Sequence, residues 1–208
     1  MFTRTIARRA ALAGASVTVA LAVAACGDDP TAGHGMPGAA GSATPAAGAS
    51  ASFDAADVMF AQMMIPHHQQ AVEMSELAET RAADPEVRKL AGQIKAAQGP
   101  EIATMRGWLA AWGRQAPSVS AGHGMPEMDH GMPGMMSEAD LATLRAASGA
   151  DFDRRFLTMM IAHHEGAITM AKEEIARGAH PDATALARQI VTTQLGEIDA
   201  MRKMLDRL

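Results

Sequence analysis

Phe60-Ala-Gln-Met-Met-Ile-Pro-His-His-Gln-Gln-Ala-Val-Glu-Met74 returns later in the chain as Phe156-Leu-Thr-Met-Met-Ile-Ala-His-His-Glu-Gly-Ala-Ile-Thr-Met170. The offset is 96 at every position, and it also carries Pro85 to Pro181, Gln93-Ile94 to Gln189-Ile190, Gln98 to Gln194, Glu101-Ile102 to Glu197-Ile198, Met105 to Met201 and Leu109 to Leu205. A gapless offset held over about 50 residues marks an internal duplication.

Each copy reads as two helices. The first runs from about Asp54 to Ala82, after which Asp84-Pro85 offers a capping side chain and a proline at the first helical position. In the second copy Gly178 stops a helix and Pro181 starts the next. Pro66 and the Gly99-Pro100 pair fall inside helical patterns, where they are expected to kink rather than end the helix. Ala162 stands at the position equivalent to Pro66, so such a kink is not needed twice. A hairpin of two helices cannot bury its apolar stripes alone, whereas two hairpins face to face can. The predicted fold is therefore all-α, a four-helix bundle with a pseudo-twofold axis. Repeat one covers 53–112 and repeat two 137–208, joined by a Gly/Pro/Met/His-rich linker over 113–136; Ser137-Glu-Ala-Asp140 looks like a capping box opening a short extra helix to about Ala147.

Composition agrees, since helix formers dominate and Tyr is absent. The chain also holds 17 Met, 8 His and a single Cys, which needs another explanation. Arg4, Arg8 and Arg9 precede an apolar run of about 16 residues, short for a membrane span. The run ends in Val23-Ala-Ala-Cys26, similar to the lipobox of bacterial lipoproteins. Residues 1–25 thus read as a lipoprotein signal peptide, Cys26 as the lipidation site, and 26–52, rich in Gly, Ala, Pro, Ser and Thr, as a flexible stalk. Removing the signal takes three Arg and no acid, moving the formal charge from −5 to −8. Such an acidic protein without basic runs has nothing to neutralise phosphate, which excludes nucleic acid as a partner.

On a helix at about 100° per residue, Met63, His67 and Met74 fall at about 0°, 40° and 20°, a narrow stripe repeated by Met159, His163 and Met170. Met64 with His68, and Met160 with His164, form a second stripe about 100° round. Adjacent histidines on one helix cannot easily serve one ion, so one of each pair is expected to face the bundle interior. Soft thioethers select Cu(I), imidazole accepts either copper state, and hard cations want oxygen. Thioethers also survive an oxidising compartment where cysteines would pair. Any single methionine here is as well explained by core packing. That explanation fails for His34-Gly-Met36-Pro-Gly, His123-Gly-Met125-Pro-Glu and His130-Gly-Met132-Pro-Gly, because Gly- and Pro-rich segments build no core. These three near-copies suit copper capture.

The doubled Phe-x-x-Met-Met-Ile-x-His-His-x-x-Ala-[Val/Ile]-x-Met signature resembles the bacterial family known as domain of unknown function 305, over about residues 53–208. The resemblance implies a ferritin-like four-helix fold and, for its characterised members, copper binding and resistance outside the cytoplasm. By position it implies ligands at Met63, Met64, His67, His68, Met159, Met160, His163 and His164. The expected function is that of an exported, non-enzymatic copper protein, anchored to the membrane through Cys26, that sequesters the ion or passes it to another copper-handling envelope protein. Cu(I) is favoured, with Cu(II) as the other state. Two other readings stay open: a structural or interaction lipoprotein whose methionines only pack, and a ferritin-like oxidase. The oxidase needs Glu-x-x-His pairs, and Met64, Ile65, Met160 and Ile161 stand where those glutamates would be, while Glu101 and Glu197 have no histidine companion in sequence. No set of nucleophile, base and orienting group supports hydrolysis.

Overall fold

A computed structural model describes residues 52–117 and 132–208. The signal peptide, Cys26, all but the last residue of the stalk and the donors His34, Met36, His123, Met125 and His130 lie outside the described residues. Five helices follow in order: α1 (Ala55–Arg81), α2 (Pro85–Ala111), α3 (Glu138–Ala146), α4 (Gly149–Arg177) and α5 (Pro181–Leu205). No strand is formed among the described residues. α1 packs on α2 and α4 on α5 as the two hairpins, α1 against α4 joins them, and α3 rests on both α1 and α4.

The helix ends follow local chemistry. Asp54 caps α1 in a reciprocal box with Asp57, and Asp84 accepts from the Glu86 amide at 2.7 Å with Pro85 in the first turn. Ser137 and Asp140 cap α3 reciprocally, and Gly178 ends α4. α1 and α2 run on through Pro66 and Pro100.

The duplication produces a reciprocal lock that the sequence pattern does not announce. Asp153 on α4 accepts the amides of Ala83 (3.1 Å) and Asp84 (2.9 Å) at the start of α2. Its equivalent Asp57 on α1 accepts those of Ala179 (3.3 Å) and His180 (3.0 Å) at the start of α5. Each hairpin thus caps the second helix of the other with a buried carboxylate, satisfying amides that a helix start leaves free.

The core is two apolar clusters. One holds Met74, Met160 and Met201 with Phe152, Phe156 and Ile94; the other holds Met170, Met64 and Met105 with Phe60, Leu109 and Ile190. These methionine triplets are exact repeat equivalents with the copies exchanged, so each cluster draws on both hairpins. Between them, along α1 and α4, lie the histidines.

Candidate metal centre

His67 of α1 and His163 of α4 meet across the hairpin interface with ring centroids 3.7 Å apart and planes inclined by 38°. Because the two are repeat equivalents in contact, the pseudo-twofold axis passes between them. The rings are tilted against one another in direct contact, and imidazole lone pairs lie in the ring plane rather than between the faces.

His68 and His164 turn the other way, toward the second helix of their own hairpin. His68 Nε2 lies 2.8 Å from Glu101 Oε2 and His164 Nε2 lies 2.7 Å from Glu197 Oε2. All four rings have no exposed surface. The expectation that one histidine of each pair faces the interior is therefore corrected: both are buried, one toward the opposite hairpin and one within its own. Neighbours 100° apart on a helix can each find protein when the helix is covered on both sides.

Glu101 and Glu197 also have histidine companions after all, 33 residues earlier on the facing helix rather than three residues away on their own. Sequence spacing cannot reveal a pairing that only hairpin register creates. The one signal was the shared offset of Gln98 with Gln194 and Glu101 with Glu197. Both glutamines are buried one turn from the glutamates, with amide atoms left unpartnered.

The hydrogen bonds sort the ring nitrogens. Carbonyl and carboxylate oxygens accept, so Nε2–H of His67 donates to Pro133 O at 3.1 Å, and Nε2–H of His68 and His164 donates to the glutamates. Nδ1 of all three has no protein partner, and His163 has none at either nitrogen. A ring whose far N–H is held by a carboxylate or backbone carbonyl while its other nitrogen stays free is the arrangement that orients metal-binding histidines. Burial, reinforced by the neighbouring histidines, holds His67 down to about 3 and His163 well below its ordinary value. Both are neutral at pH 7, the ligating form.

Met64 and Met160, one turn from the histidines, are fully buried; Met63 and Met159 are partly buried at the edges of the two clusters. Met74 and Met170 belong to the clusters themselves. Met132 is partly buried in a stretch, the last residues of the linker, that docks on the helices. Among the described residues no group of three or more His, Cys, Asp or Glu side chains is placed to hold a metal.

The family model described as Domain of unknown function (DUF305) matches residues 57–205. A DUF305 fragment from Deinococcus radiodurans is 36% identical, with 75% of this chain and 99% of that one covered and a TM-score of 0.67. A DUF305 protein from Streptomyces coelicolor, described as secreted, is 39% identical over 73% of this chain and 93% of its own, at a TM-score of 0.64. CopM in its Cu(I)-bound form is 33% identical over 73% of this chain and 96% of its own, at a TM-score of 0.61, and CopM is also known in Cu(II)- and Ag-bound forms. No curated protein matches the chain in sequence. With its doubled His-His signature, its bundle of two hairpins and this match over most of the folded part, the chain belongs to the DUF305 family.

Proposed function

We propose that the protein is an exported, lipid-anchored copper-binding protein that sequesters or hands on copper through His and Met donors, contributing to copper tolerance, without catalysing a reaction. The observation that carries this is the set of five buried imidazole nitrogens without protein partners, three on the His67–His163 pair where the hairpins meet and one each on His68 and His164 beside it. An unmet buried polar atom costs about 1–3 kcal/mol. A fold keeps such a burden where a ligand relieves it.

The donor chemistry selects the ligand. Neutral imidazoles with Met64 and Met160 buried one turn away along the same helices suit Cu(I) first and Cu(II) second, and the likeness to CopM in copper- and silver-bound forms supports the same class. Export and anchoring rest on the apolar segment before Cys26. The His-Gly-Met-Pro segments are a second, separate set of donors for capture. The envelope scaffold reading would leave the five nitrogens without purpose.

The test is metal analysis and competition with a Cu(I) chelator on protein starting after Cys26, compared with a form lacking residues 118–131. Cu(I) retained against the chelator by both forms, at lower stoichiometry in the shortened one, is expected. Failure of the intact protein to compete ends the proposal.

A further inference from the structure

The two repeats are not equivalent at one place on the histidine face. Position 70 in the first copy is Gln, and its partner 166 in the second is Gly. Both residues touch the same stretch, Met132–Met136, the end of the linker. Gln70 grips it twice, donating from Nε2 to Met136 O at 2.9 Å and accepting the Met136 amide at 2.8 Å. Gly166 makes room for it, since a Cβ there would stand 1.9 Å from Pro133 O. Gly134, at φ +77°, lies so close to α4 that its own Cβ would come 2.5 Å from Ala162 O. One copy supplies a clamp, the other an empty seat, and Pro133 O between them takes the His67 Nε2–H.

Resting on the copper reading above, we infer that Met132–Met136 is a strap over the His67–His163 pair that controls metal exchange and holds His67 with Nδ1 free for the ion. Opening the site between helices would break the apolar clusters on either side. Lifting the strap breaks three hydrogen bonds, the close backbone contacts of Pro133 and Gly134 with α4 and the packing of Met136 on the edge of one cluster, but leaves both cluster interiors intact, which makes it the low-energy door. At the same offset of 96, Met132-Pro-Gly134 has its repeat equivalent in Met36-Pro-Gly38, which lies outside the described residues.

Gly166→Ala tests this directly. It favours the helix, so α4 should form at least as well as before, while its methyl group displaces Pro133. Gln70→Ala releases the clamp without a clash and serves as the second variant. In apo protein, Gly166→Ala is expected to lose hydrogen-exchange protection of the Met136 amide and the fixed Nε2–H tautomer of His67, read by imidazole ¹⁵N shifts, with circular dichroism unchanged. Loaded with Cu(I) or Ag(I), both variants should release the ion to excess chelator about tenfold faster or more, the factor expected from losing one or two such bonds. Binding by wild type and both variants at one common release rate overturns the strap and leaves the copper reading standing. No binding by wild type overturns both, and a protected Met136 amide in Gly166→Ala overturns the docking geometry.

Discussion

Replacing His67 and His163 together by Leu should make the metal-free protein more stable. Three of the five unpartnered nitrogens belong to this pair, His67 Nδ1 and both nitrogens of His163. Removing them relieves about 3–9 kcal/mol at about 1–3 each. Against this stand the His67–Pro133 hydrogen bond, about 0.5–1.5 kcal/mol, the ring stacking, about 0.5–1.5, and reshaping of the pocket, up to about 1.5. Taken at their midpoints these terms favour the variant by about 3 kcal/mol, a rise in Tm of about 6–12 °C for a domain of this size. The assay is thermal melting with and without chelator. Wild type should then gain about 2.7 kcal/mol when free Cu(I) is a hundred times its Kd, whereas the double variant gains far less. A metal-free variant melting below wild type would refute the reasoning, because the imidazoles would then be structural rather than reserved for a ligand.

Glu101→Gln and Glu197→Gln keep the shape but weaken the hold on the histidine N–H, and each should lower metal affinity by about 10–100-fold with little change in melting; chelator competition measures it. Asp153→Ala frees the Ala83 and Asp84 amides and should cost about 1–3 kcal/mol in urea unfolding, as should Asp57→Ala at the opposite lock. Burial first and the neighbouring Asp57 second push Glu174 up to about 8. The unfolded chain loses that proton near 4.5, so between 4.5 and about 8 it binds fewer protons than the fold, and stability should fall as pH rises through this window. Glu174→Gln should flatten that slope, and an unchanged pH profile of Tm would count against a neutral Glu174. Asp57 acts in the opposite sense. Burial would raise it, but the amides of Asp54, His180 and Ala179 and the Glu174 side chain bring it below 3.8, so its contribution is lost only as the pH falls beneath that value.

The asymmetry between the copies is informative about how a duplicated fold acquires a function. His67 with His163, His68 with His164, Glu101 with Glu197 and Gln98 with Gln194 keep the symmetry of the centre. Two buried departures break it: Gln70 against Gly166 beneath the strap, and Ala78 against Glu174 beside Asp57.

The all-helical hairpins, their caps at Asp84 and Ser137, and the matched Met/His stripes were legible from residue order alone, because helix periodicity and capping are local and a duplication repeats its pattern in register. Which nitrogen of each histidine is free, that both members of each pair are buried, that Glu101 and Glu197 answer histidines 33 residues away, and that Pro133 and Gly166 meet were decided by tertiary structure. Those facts depend on how one hairpin is laid against the other, and residue spacing within a single helix carries no record of that distance.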